Sequence, residues 1–207
     1  FLIGGNLIGW IRHGGFVPWD DDIDFGIMRN DFEKLKKYAE ENWIVKKCDT
    51  QDAAQRGWID NVTNESGGKT VFFIYAEHVQ ISKGTNCIDR RSIDFFPYDY
   101  YDNNASFELH NKYIREVYIE FSKYDDEKAR IEIVQNARNN DRMICKHSDN
   151  IYFGDDSCEP YLRQFNKNWI RTDILFPLRT VNYEGVSLNI PNRPEEFIMF
   201  EYPNYKE

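Results

Sequence analysis

The sequence predicts an α+β fold, a mixed β-sheet flanked by helices, and three observations carry that expectation. Helical and strand periodicities are interspersed along the chain with no internal repeat and no low-complexity segment. Hydrophobic residues make up 41% and aromatics 16% of the 207 positions, enough for one sizeable core and too many for a disordered chain. No apolar run approaches the roughly 20 residues that cross a bilayer. A single domain spanning 1–207 is expected, and the start at Phe1 rather than Met suggests missing upstream residues.

Each element has a local cause. Gly4-Gly5-Asn6 opens a short helix, Leu7 to Arg12, which Gly14-Gly15 and Pro18 end. After Asp20-Asp21-Asp22-Ile23-Asp24, Phe25 to Met28 continues in extended character, so the aspartates lie on or beside a strand. Asn30 and Glu33 form a loose capping box, and Phe32, Leu35, Tyr38 and Ala39 recur at helical spacing to about Asn42. Thr70 to Ile81 and Ser92 to Phe96 carry the β-branched and aromatic residues of strands. Phe107, His110, Ile114, Val117, Tyr118 and Phe121 define one face of a helix from Ser106 to about Ser122. Ala129, Ile131, Val134 and Arg138 suggest another helix, and Glu159 to Trp169 a further one. Thr180 to Ile190 alternates as a hairpin turning at Glu184-Gly185, before Pro191 and Pro194 lead into a short helical tail.

A net charge of -9 counts against unassisted binding to a polyphosphate backbone, so no nucleic-acid partner is expected. An acidic chain still binds one phosphorylated ligand when a divalent cation lies between them. Cys48, Cys87, Cys145 and Cys158 include no C-x-x-C pair, which leaves neither a zinc ribbon nor a redox motif. Cys145 and His147 offer only two metal ligands. Reduced thiols and no basic-then-apolar leader before Arg12 and His13 give the expectation of a cytoplasmic chain.

Four carboxylates within five positions repel one another, and folded proteins keep such a run where a cation or several donors compensate it. Trp19, Ile23 and Phe25 flank the run with groups that favour burial, which opposes a solvated acidic turn. On a strand, Asp20, Asp22 and Asp24 share one face and Asp21 turns away. Asp22 and Asp24 are then close enough to share a metal, and hard oxygen ligands select Mg²⁺ or Mn²⁺. The helical D-D-x-x-D pattern of terpene synthases is opposed by Pro18 and Gly26. A calcium loop fails because Phe25 stands at its required glycine and Asp31 at its bidentate glutamate.

Asp94, in the apolar strand Ser92 to Pro97, needs compensation, either as a third metal carboxylate or in an ion pair with Arg90 or Arg91. Gly4-Gly5-Asn6 supplies backbone N–H groups and a positive dipole end suited to phosphate. Arg12 and His13 either add charge to that pocket or cap the C-terminus of the helix. Together these parts make the constellation of a nucleotidyltransferase, in which the metal bridges donor phosphates and Asp94 takes the acceptor proton.

The run from Gly4 to Asp24 closely resembles the signature of the LicD family, which includes bacterial phosphocholine transferases and the fukutin-related proteins. Ile93-Asp94-Phe95-Phe96-Pro97 with Asp99 resembles that family's aspartate-phenylalanine-proline strand. Tyr183-Glu184-Gly185, Pro191 and Glu201-Tyr202 resemble its closing segment, while about Ser106 to Asp155 matches little. The resemblance implies a nucleotidyltransferase-like fold and transfer of phosphocholine, ribitol phosphate or a similar group from a CDP-linked donor to a glycan, as in capsule or cell-surface polysaccharide. It also implies Asp22 and Asp24 as Mg²⁺ ligands, Asp20 as a further one and Asp94 as the downstream carboxylate. Asn6 stands where Thr or Ser is expected, and Trp10 replaces a smaller residue. The alternatives are a nucleotide-sugar glycosyltransferase with an Asp-x-Asp metal site, and a non-enzymatic calcium- or glycan-binding module.

Overall fold

The computed structural model describes residues 1–20, 22–47, 69–74, 78–83, 91–155 and 168–206. Along them, α1 (Gly4–His13) hands over to β1 (Asp24–Met28), α2 (Arg29–Asn42) and β2 (Ile44–Lys47). Strands β3 (Val71–Ile74), β4 (Val79–Lys83) and β5 (Arg91–Tyr101) follow, then the helical pair α3 (Phe107–Phe121) and α4 (Glu127–Asn140). Short strands β6 (Ile144–Cys145), β7 (Asn150–Phe153) and β8 (Ile170–Arg171) lead to α5 (Thr172–Leu175). The chain then turns through β9 (Arg179–Tyr183) and β10 (Val186–Ile190) into α6 (Pro194–Glu201).

Eight strands make one sheet in the order β2-β3-β4-β5-β7-β8, with β1 and β6 also paired to β5, and β9 and β10 form a separate hairpin. The β1/β5 and β2/β3 pairs are parallel and the others antiparallel, so the sheet is mixed and the expected α+β class is observed. Strand β5 organises the sheet. It pairs with β4 through Arg91 to Phe95 and with β1 through Asp94 to Tyr98, so Asp94 lies between two neighbouring strands.

Local chemistry explains most boundaries. Gly14 ends α1 in the left-handed region at φ 75°, donating its N–H to Trp10 O at 2.9 Å. The capping box expected at Asn30 does not form. Helix α2 already starts at Arg29, behind an extended Met28 without a side-chain cap, because Arg29 is held by tertiary ion pairing to Asp99. Ser106 caps α3 by accepting the N–H of Leu109, and Asp126 caps α4 through Lys128 and Ala129. The stretch Thr70 to Ile81 splits into the antiparallel pair β3 and β4, and residues 75–77 lie outside those described. The helix expected over Glu159 to Trp169 lies outside the described residues as far as 167, and Trp169 itself is not helical.

The main core gathers Leu2, Leu7, Tyr98, Ile151, Phe153 and Phe197 from the two ends and the middle of the chain. Each fully buried Leu, Ile or Phe contributes about 1.5–3 kcal/mol. Ile114, Phe121, Ile131 and Val134 zip α3 to α4, while Phe32 and Ala39 seat α2 on Phe72 and Val79. Tyr38 turns to solvent, edge-on to Trp43 at 5.3 Å, instead of joining that seat. Trp19, expected to be buried, is 83% exposed on the turn ahead of β1. No helix among the described residues is long and apolar enough to cross a membrane.

Candidate metal and phosphate site

Strands β1 and β5 run parallel in a register that sets Asp24 opposite Asp94. In-register neighbours on parallel strands point to one face, with backbones about 4.8 Å apart, so these two carboxylates are side by side. The pairing extends one residue earlier, because Asp94 donates its N–H to Ile23 O at 2.8 Å. On its other side Asp94 is aligned with Gln80 of β4.

The strand begins only at Asp24, so Asp20 and Asp22 approach from the preceding loop rather than along a strand face. Asp21 is outside the described residues. Asn6 shapes that loop. Wholly buried on α1, it donates Nδ2 to Asp22 O at 3.0 Å and accepts the Asp24 N–H on Oδ1 at 2.5 Å. Both ends of its amide are therefore committed to the backbone that carries the aspartates.

The glycine pair serves close approach. A Cβ on Gly5 would stand 2.6 Å from Asp20 Oδ2, and one on Gly4, whose φ is 56°, would stand 3.3 Å from Asp24 Oδ2. Only a bare backbone lets these carboxylates reach the positive end of α1. Glu201 reaches the same end from α6. Its Oε2 accepts the Gly4 N–H at 2.9 Å and its Oε1 accepts the Tyr98 hydroxyl at 2.8 Å. In the sequence this buried glutamate stands out only as part of the closing segment, without a site role. The signal was a lone acid closing the apolar run Phe197-Ile198-Met199-Phe200.

Electrostatics follow from this crowding. Burial, with the charges of Asp22, Asp94, Asp20 and Glu201, pushes the Asp24 carboxyl up to about 8. His78 stands 3.9 Å from Asp94 Oδ1 and stacks on Phe96 with ring centroids 5.1 Å apart. Burial pulls its imidazole down to about 4, so at pH 7 it faces Asp94 as a neutral ring. Arg90, one of the partners considered for Asp94, lies outside the described residues. This set of hard oxygen donors, whose charges crowd the buried Asp24, fits a divalent cation.

Arg12 and His13 occupy the last turn of α1 and are exposed. At 1.5 Å per residue they stand about 12 Å along the axis from Gly4. Nearer the loop is the β9–β10 turn, where Glu184 takes φ 51° and Gly185 φ 85°, the expected hairpin geometry. Glu184 Oε1 accepts the Phe16 N–H at 3.4 Å, and Tyr183 packs edge-on to Phe16 at 4.9 Å. The hairpin thus braces the segment between α1 and the aspartates.

Two further polar clusters lie elsewhere. Asp99, almost fully buried, takes Arg29 through Nε at 3.0 Å and Nη2 at 2.7 Å, with Arg138 Nε at 3.4 Å. A cavity of about 520 Å³ opens beside them, lined also by Tyr100 and Lys146. It adjoins the Met28/Tyr98 end of β1 and β5, four residues along from Asp24 and Asp94. Separately, His110, Asp141 and Asp155 form a buried group able to hold a metal ion.

Comparison with known proteins gives this geometry a family. A model described as LicD/FKTN/FKRP, nucleotidyltransferase domain, matches residues 1–193. The chain belongs to that family. The LicD match takes in the glycine pair, the aspartate run, Asp94 and the β9–β10 hairpin, and it ends before Glu201. Over 34 residues the chain is also 58% identical to the lipopolysaccharide cholinephosphotransferase LicD of Haemophilus influenzae. That stretch is 16% of this chain and spans 13% of the curated relative's length.

Proposed function

We propose that residues 1–207 form a single transferase domain that moves a phospho-alcohol group, such as phosphocholine or ribitol phosphate, from a CDP-linked donor to a glycan hydroxyl. The observation that carries the reading is the Asp24–Asp94 pair, in register on adjacent strands and facing the N-terminus of α1 with Asp20 and Asp22 beside it. Membership of the LicD family and the name of the Haemophilus influenzae relative support phospho-alcohol transfer as the reaction class.

In this reading Asp22, Asp24 and Asp94 hold Mg²⁺ or Mn²⁺, with Asp20 as a further ligand. The ion, when bound, supplies Lewis-acid charge to the donor diphosphate. The residues of the chain do the positioning. Because Gly4 already donates to Glu201 and Asp20 crowds Gly5, the end of α1 is too acidic to attract phosphate by its dipole alone. This makes recognition of the donor depend on the cation. Asn6 holds Asp22 and Asp24 at their backbone, and Asp94 accepts the proton of the acceptor hydroxyl. That oxygen bonds to the phosphorus bearing the alcohol, the bond to the bridging oxygen breaks, and CMP leaves.

The experiment is a panel of CDP-alcohols with Mg²⁺ or Mn²⁺ and a glycan acceptor, following CMP release and transfer of label. Turnover that disappears in Asp22→Ala and Asp24→Ala supports the reading. No turnover of any donor, or normal activity in both variants, overturns it. Release of a nucleoside diphosphate in place of CMP shows sugar transfer instead.

A further inference from the structure

His110 on α3, Asp141 at the C-cap of α4 and Asp155 just past β7 bring their ligand atoms within 4.8 Å of one another. All three side chains are closed to water, at 0%, 2% and 0% exposure. His110 Nε2 stands 2.9 Å from Asp155 Oδ1 and 3.3 Å from Asp141 Oδ2. An imidazole nitrogen carries at most one hydrogen, so it cannot satisfy both carboxylates fully. Asp155 Oδ1 also accepts the Tyr101 hydroxyl at 3.0 Å, and Asp141 Oδ1 accepts the Met143 N–H at 2.7 Å. Asp141 Oδ2 is buried and faces the imidazole at 3.3 Å without a well-aligned hydrogen bond among the described residues. Two buried carboxylates facing one imidazole carry a charge that proteins compensate with a proton or a metal ion. Ligands about 2.0–2.1 Å from a tetrahedral zinc ion stand about 3.3 Å apart, the His110–Asp141 spacing, while His110 and Asp155 at 2.9 Å are slightly closer.

We infer that His110, Asp141 and Asp155 bind a zinc-class divalent ion with a structural role, pinning the α3–α4 pair to the β5–β7 part of the sheet. An imidazole nitrogen among the donors favours zinc over magnesium. All three ligands come from the segment between residues 106 and 155, apart from Asp22, Asp24 and Asp94. The site is independent of the proposed transfer reaction.

The test measures metal content of the full chain after chelation and reloading with ZnCl₂, together with its melting temperature. The expected result is about one zinc per chain, retained in Asp24→Asn and absent from His110→Gln and Asp141→Asn. Asp141→Asn keeps an acceptor for the Met143 N–H, so it separates loss of metal from loss of fold. Zinc at about a hundredfold excess over its Kd raises the melting temperature by about 5 °C or more. Absence of stoichiometric zinc in the unaltered chain overturns the inference, as does zinc that is lost with Asp24→Asn and kept in His110→Gln. Neither readout depends on turnover, so failure of the proposed transfer leaves this inference standing.

Discussion

Asp24 and Asp94 are direct partners in the parallel register of β1 and β5, which forces two carboxylates onto one face of the sheet. Without a cation, burial and the charges of Asp22, Asp94, Asp20 and Glu201 raise the cost of charging Asp24. A neutral isostere at Asp24 should therefore have opposite effects on stability and turnover. Asp24→Asn is expected to stabilise the metal-free chain by about 1–2 kcal/mol while lowering transfer at least about 100-fold. Asp94→Asn, which removes the proposed proton acceptor, should lower kcat about 100- to 10,000-fold. Denaturant melts in chelator and steady-state rates in Mg²⁺ check both. A destabilised Asp24→Asn chain would show that the pair is held by donors rather than by a cation.

The same crowding sets a pH dependence. Asp24 moves from an ordinary value of 3.8 to about 8 on folding, so the folded chain binds this proton more tightly than the unfolded one. Its stabilising contribution is full below the ordinary value and is lost as pH rises through about 8. The metal-free chain is thus expected to melt at progressively lower temperature between about pH 5 and 8.5. Because cation and proton compete for Asp24, millimolar Mg²⁺ should restore more stability at pH 8 than at pH 6. Asp24→Asn should flatten the slope. A melting temperature that rises over this range contradicts the argument.

The sequence disclosed the parts of this site better than their assembly. Asp-x-Asp before an extended run, one aspartate in a later apolar strand and a glycine pair ahead of a helix each have a local chemical signature, so all were visible. What closes the site depends on distant pairings with no local period. Glu201 reaches Gly4 from the far end of the chain, and Asn6 is spent on the loop backbone rather than on a ligand. Trp19 shows the reverse failure, since an indole that propensity would bury is held out by the turn that aims Asp20. Likewise β6, β7 and β8 are too short for alternation to show, and their pairing to β5 and to each other defines them.

Two glycines of α1 should separate chemistry from folding. A Cβ on Gly9 would meet backbone, Gly15 O at 2.5 Å and Val17 N at 2.9 Å, and neither can swing aside. Gly9→Ala is therefore expected to destabilise the chain by about 1–3 kcal/mol. A Cβ on Gly5 would meet only the carboxylate end of Asp20 at 2.6 Å, which rotates away. Helix propensity favours alanine there by up to about 1 kcal/mol, so Gly5→Ala should keep its melting temperature within a few degrees. With Asp20 displaced, its requirement for Mg²⁺ should rise about tenfold. Equal stability losses in both variants would contradict this division.

Asn6 gives the sharpest test of how the loop is held. Its amide closes two hydrogen bonds to the backbone at Asp22 and Asp24 from a fully buried position. Alanine leaves a part-buried carbonyl and a part-buried N–H unpaired, at the lower end of about 1–3 kcal/mol each, so Asn6→Ala should lose about 2–4 kcal/mol. Asn6→Asp keeps the acceptor for the Asp24 N–H but turns a donor into an acceptor opposite Asp22 O, and it adds a charge beside Asp24. It should be the least stable of the set without metal and the most rescued by Mg²⁺. A threonine or serine hydroxyl both accepts and donates at one oxygen, so Asn6→Thr should recover part of the alanine loss in stability and in Mg²⁺ affinity together. If stability returns without affinity, Asn6 supports only the fold. Parallel recovery ties the loop backbone to the carboxylates proposed to bind the metal.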